Sequence, residues 1–87
     1  MLVPLYGFLQ GDTLGLVVLV HDSDRVRDIA QRLQRAAAVR IAPRERVVVM
    51  AHGRALDLEA TITQAGLEAL DRVDVVVEAV MEGDRGT

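Results

Sequence analysis

One stretch of this chain has the period of an amphipathic helix, and a single helix can cover only one face of a sheet. Val26, Ile29, Ala30, Leu33 and Ala37 fall at i, i+3, i+4, i+7 and i+11. At ~100° per residue they share an arc of about 100°, and Arg25, Asp28, Arg32 and Arg35 lie on the opposite side. The pattern predicts a helix over Asp24–Ala38. His21-Asp22-Ser23-Asp24 supplies N-cap candidates, because Ser and Asp oxygens accept hydrogen bonds from the first unpaired N–H groups of a helix. Ala42-Pro43 supplies the stop, because proline disfavours helical geometry in the residue before it.

The flanking segments have strand character. Leu2–Leu9 is apolar with β-branched and aromatic members, Gln10-Gly11-Asp12 is a turn signal, and Leu14–Val20 is a second apolar run, so the pair predicts a hairpin. After the helix come Arg46–Ala51, a His52-Gly53 turn, a return strand at Arg54–Leu58, a Thr-capped turn over Thr61–Leu67 stopped by Gly66, and a last strand at Val73–Val80. The order β-β-α-β-β-turn-β predicts an α+β, two-layer domain. It is the order of the ubiquitin-like β-grasp, a mixed four- to five-stranded sheet packed on one helix. A ferredoxin-like order would need a second long helix, which the polar, glycine-interrupted residues 59–72 do not supply. A mass of 9.5 kDa holds one domain: residues 1–82, followed by a short polar tail at 83–87.

With one helix on one face, the strands should alternate apolar and polar on the other, and they do so poorly. Val17, Leu19, Val48, Met50 and Val76 all point away from the phase that serves the core, so they are candidates for a second apolar surface of the kind that marks interaction sites. Charge is also uneven. Arg25–Arg46 holds seven arginines against Asp28 and Glu45, a local balance of +5, and Ala55–Thr87 holds eight acids against Arg72 and Arg85, a balance of −6. Such asymmetry orients a charged partner. Within the basic stretch, the loop containing Arg40, Pro43 and Arg44 is a candidate contact, since arginine forms bidentate pairs with carboxylates.

Groups that carry chemistry are scarce. The chain has no cysteine and two histidines, which removes thiolate metal sites and cysteine nucleophiles. His21, Asp22 and Asp24 match no metal-loop spacing and are better read as helix-cap residues. Ser23 has no nucleophile-elbow context, Gly7, Gly11 and Gly15 form no phosphate-binding motif, and no Glu-x-x-His of a di-iron site occurs. The expectation is a protein without catalytic residues, cofactor or metal of its own. One tyrosine, one phenylalanine, no tryptophan and a net charge of −3 argue against nucleic acid. The longest apolar run is seven residues, Leu14–Val20, against roughly twenty for a membrane helix. With no signal-like N-terminus, the expectation is a cytoplasmic protein that does not engage membranes.

The same residues resemble a known family, the small gamma subunit, or B protein, of bacterial multicomponent toluene and aromatic monooxygenases. The resemblance runs through Val3-Pro4-Leu5, the turn at Asp12, the strand Leu14-Gly15-Leu16-Val17-Val18-Leu19-Val20, and Asp22-Ser23-Asp24 with Val26 and Ile29-Ala30. It continues through Val39-Arg40-Ile41-Ala42-Pro43-Arg44 to Thr63-Gln64-Ala65-Gly66-Leu67. It departs from the family at Val39, where a second arginine is usual, and over residues 52–60, which are less basic and aromatic. It implies a ubiquitin-like fold and hydroxylase alpha and beta subunits as partners. It also implies a carboxylate-bridged di-iron centre held by the alpha subunit, with no catalytic residue to assign here. An alternative sharing the fold is a stand-alone ubiquitin-like adaptor of the type VII secretion-associated kind. A covalent modifier or sulfur carrier needs a terminal Gly-Gly, and Glu82-Gly83-Asp84-Arg85-Gly86-Thr87 has none, so no covalent conjugation is expected.

Overall fold

The helix α1, Val26–Ala36, lies across one face of a five-stranded sheet in a computed structural model that describes residues 1–78. The strands are β1 (Leu2–Leu9), β2 (Gly15–His21), β3 (Val47–Ala51), β4 (Arg54–Ala55) and β5 (Arg72–Val77), in the order β2-β1-β5-β3-β4. The β1–β5 pair is parallel and the others antiparallel, so the sheet is mixed. This is the ubiquitin-like β-grasp arrangement that the element order predicts. Among the described residues no helix is long and apolar enough to cross a membrane.

The five apolar positions of the helix stripe are all buried, together with Val3, Leu5, Val18, Val20, Val49, Val73 and Val75 from the facing side of the sheet. Close approach of helix and sheet needs Gly7. A Cβ there would stand 3.1 Å from both terminal methyls of Leu33, tighter than ordinary van der Waals contact.

The helix is shorter than its pattern, and neither of its ends is the one expected. Arg25, not Ser23 or Asp24, stands at the N-cap. Asp28 reaches back to accept the Arg25 N–H at 2.9 Å. The Val26 and Arg27 N–H groups donate to the backbone carbonyls of Ala60 and Leu58, at 2.8 and 3.0 Å. A distant segment thus satisfies donors that local side chains were expected to cap. Asp24 is drawn off by the His21 N–H (2.8 Å) and the Arg32 guanidinium (2.8 Å). At the other end the helix stops at Ala36, well before Pro43, in a turn where Arg40 and Ile41 both donate to the Ala37 carbonyl.

Three strands also differ in length; β3 starts at Val47, one residue later than expected. The return strand closes after Ala55, not Leu58, because the carbonyls of Leu58 and Ala60 are committed to the helix start. The last strand begins at Arg72. It ends at Val77, with Glu78 already outside it; residues 79 and 80 of the expected strand, and the tail at 83–87, lie outside the described residues. The Thr61 turn forms as expected: the Thr61 hydroxyl accepts the Gln64 N–H, the Gln64 side-chain Oε1 accepts the Thr61 N–H, and Gly66 adopts φ +75°.

Candidate functional site

Because α1 covers only one face, the alternating residues of β1 and β2 that miss the core face outward together. Val17 and Leu19 are 57% and 54% exposed. Register sets Tyr6 beside Val17 and Pro4 beside Leu19. Tyr6 and Leu2 are exposed as well, so β1 contributes as much to this apolar surface as β2. The signal for it in the sequence is that Leu2–Leu9 is apolar at every position, so both faces of the strand carry apolar side chains.

The centre of the open face is built differently. Gly15 lies opposite Phe8, and a Cβ on it would fall 2.6 Å from the Phe8 ring. The ring therefore occupies the space that a side chain would fill, an aromatic cover for a strand glycine. The Arg72 guanidinium stands 4.2 Å from the Phe8 centroid, a cation–π distance, and donates to both oxygens of Asp74 at 3.0 and 3.2 Å. The hydrogen bond to Asp74 raises the Arg72 pKa.

This charged stripe divides the surface expected from the sequence. Val17 and Leu19 lie on its β2 side. Val48, Met50 and Val76 lie beyond it, half-buried, with Val48 directly opposite Val76 and Met50 opposite Asp74. All five share the face, but they form two patches. Only the first, with Leu2, Pro4 and Tyr6, is broadly accessible.

The loop after the helix is tied down at two points. Arg40 makes a bidentate pair with Asp12 at 2.7 and 3.1 Å, tying the loop to the β1–β2 turn. The Asp12 side chain is only 3% exposed, and the Arg40 hydrogen bond holds its carboxyl below the usual range against the opposing effect of burial. Gln34, which the sequence reading passed over, is a buried polar residue on the helix. Its amide brackets Arg44, accepting the Arg44 N–H at 2.6 Å and donating to the Arg44 carbonyl at 3.0 Å. Pro43 and Arg44 are exposed.

Between this loop and the helix runs a groove of about 450 Å³. Arg27, Arg44 and Arg46 on its walls are matched by Glu45, Glu59 and Glu78, so it carries no bias toward a charged ligand. The basic helix face is likewise largely neutralised from within. Arg25 and Arg27 pair with Glu59, and Arg32 pairs with Asp24. Hydrogen bonds from the His21 N–H and then Arg32 lower the Asp24 pKa. His21, Asp22 and Asp24 do not converge: among the described residues no three His, Asp or Glu side chains are grouped to hold a metal. His52 lies in the β3–β4 turn, 3.1 Å from Asp71.

Comparison with known proteins agrees with these features. Residues 2–77 match the family model described as toluene-4-monooxygenase system protein B (TmoB). In structure the chain is similar, at TM-score 0.81 and 27% identity, to a chain of the toluene 4 monooxygenase HD complex with inhibitor 4-bromobenzoate, over 90% of this chain and 100% of that one. It is also similar to the ubiquitin of Caldiarchaeum subterraneum, at TM-score 0.72 and 17% identity over 93% and 99% of the two chains. A designed protein based on ubiquitin matches at TM-score 0.77 and 15% identity over 94% and 95%. The last two likenesses speak to fold alone. No curated protein matches the chain.

Proposed function

The chain belongs to the toluene-4-monooxygenase system protein B family and is an accessory component of such a system, and from that premise we propose that it is the non-catalytic gamma subunit of a di-iron hydroxylase, binding the catalytic alpha subunit and supporting assembly. The match of 90% of this chain to the whole of a chain of the toluene 4 monooxygenase complex carries this reading. The donor set agrees with it. With no Glu-x-x-His in the chain, and no grouping of three ligands among the described residues, these residues do not fit a di-iron centre. In this reading the iron belongs to the partner.

The contact surfaces in this reading are the apolar patch around Val17 and Leu19 and the braced loop of Arg40, Pro43 and Arg44, with Val48, Met50 and Val76 as a flanking patch. Magnitudes decide how they share the work. Fully burying one large apolar side chain contributes ~1.5–3 kcal/mol. Leu2, Tyr6, Val17 and Leu19 are each already about half-covered, so the remaining gain is roughly 1 kcal/mol apiece. Association costs about 4–15 kcal/mol, so the patch alone does not hold a complex. Hydrogen bonds and loop contacts must add to it.

Co-expression with the alpha and beta subunits of the hydroxylase is the test. The chain is expected to co-purify with them in equimolar amount through affinity and size-exclusion steps. A chain that elutes alone in every such preparation contradicts the reading.

A further inference from the structure

β2 is an outer strand, and its backbone shows which of its groups are unused. Pro4 has no N–H and its carbonyl accepts from Leu70 N at 2.6 Å, while Tyr6 N donates to the Asp71 carbonyl at 2.9 Å and Gln10 N to that of Val75 at 2.9 Å. The even-numbered residues of β1 therefore direct their backbone groups toward β5. Their β2 partners Leu19, Val17 and Gly15 must direct theirs to the outer edge, because residues facing each other in antiparallel strands turn their N–H and C=O groups either both inward or both outward. Two of the outer groups are occupied: the Leu19 carbonyl accepts Arg32 Nη1 at 3.2 Å, and the His21 N–H donates to Asp24. The N–H and C=O of Val17 and the Leu19 N–H have no hydrogen-bond partner among the described residues.

Natural proteins blunt such edges with lysine, proline, inward charges or bulges. β2 itself has none of these, Arg32 on the Leu19 carbonyl being the charge that reaches its edge from α1: Leu14–Val20 carries no charge at all, and the β1–β2 register runs from Leu2–His21 to Phe8–Gly15 without a bulge. The side chains of Val17 and Leu19 stand beside the open backbone, continuous with exposed Leu2 and Tyr6 and half-buried Pro4. We infer that β2 receives an added strand, and that the occupant is an extended, uncharged apolar segment of the hydroxylase. This rests on the subunit reading above and specifies the contact: main-chain hydrogen bonds at Val17 and Leu19 supply what side-chain burial alone lacks. A second copy of this chain is the poorer fit. Pairing through a seven-residue edge brings few side chains toward the ~1,000 Å² of a specific interface, whereas a larger partner adds contacts beyond the edge.

Hydrogen exchange on the co-expressed complex tests it. In the isolated chain the Val17 and Leu19 amides should exchange quickly, whereas the inward Val18 amide is slow. In the complex both outward amides should slow at least ~100-fold. A second variant pair reads the same bonds. Val17→Pro removes an N–H that the sheet does not use, a substitution tolerated on an outer edge, and should abolish co-purification. Val17→Thr keeps the N–H and should retain the complex within about tenfold in affinity. A complex that forms while Val17 and Leu19 stay unprotected overturns the strand-addition inference and leaves the subunit reading standing. Protection already present in the isolated chain together with a doubled mass assigns the edge to a second copy and also overturns it. Failure of the wild-type chain to join the hydroxylase overturns both.

Discussion

Replacing Leu19 with Asp should separate docking from folding. Leu19 is 54% exposed and sits on the face away from α1, so its side chain contributes little to the core. Asp is a poor strand residue, and the cost to the isolated chain should stay within about 1 kcal/mol, equivalent to at most ~8 °C in Tm for a domain of this size. In the complex the effect is different in kind. Losing the apolar contact removes roughly 1 kcal/mol, and setting an unpaired carboxylate against an apolar partner adds about 3 kcal/mol more. Together they amount to ~4 kcal/mol, or close to a thousandfold in Kd. Leu19→Ala loses only the first contribution, about fivefold. Calorimetric titration of the purified chain into gamma-depleted hydroxylase, with a thermal melt of each variant, measures both quantities. Leu19→Asp binding within twofold of wild type, with its melt intact, would refute the assignment of this patch to the interface.

Other substitutions probe the scaffold. Leu33→Ala, in a fully buried position, should destabilise by ~2–5 kcal/mol in a urea titration, and Gly7→Ala by about 1–3 kcal/mol through overpacking against Leu33. Gln34→Leu leaves the Arg44 N–H and carbonyl without their partner, so limited trypsin digestion should cut faster within the 40–46 loop and the melt should fall by ~1–3 kcal/mol. Asp12 and Asp24 have folded-state pKa values below the unfolded reference of 3.8. Their contribution is therefore present above that value and lost as pH falls through it toward the lower folded-state values, and Asp12→Asn should flatten the acid limb of a stability–pH curve.

Local patterns made much of this fold legible. The helix stripe Val26, Ile29, Ala30, Leu33 and Ala37 is buried as its spacing requires, and β1 spans Leu2–Leu9 as read. What escaped depends on contacts far apart in sequence. Ser23 and Asp24 are good cap residues by composition, but the helix start is met by carbonyls of residues 58 and 60. Val17, Leu19, Val48, Met50 and Val76 share a face, as strand phase implies. Only cross-strand register reveals Phe8, Arg72 and Asp74 standing between them. Arg40 and Arg44 were legible as a pair in one loop. Their different fates, one side chain bound to Asp12 and the other held only through its backbone, follow from Asp12 and Gln34, which no sequence spacing links to them.

Native mass spectrometry of the hydroxylase co-expressed with this chain is the most direct measure of whether it is a docked, non-catalytic subunit. The account predicts assemblies in which the chain is present in equal number with the alpha subunit, all of the iron travelling with alpha. A fully active, iron-loaded hydroxylase whose mass leaves no place for this chain would contradict it.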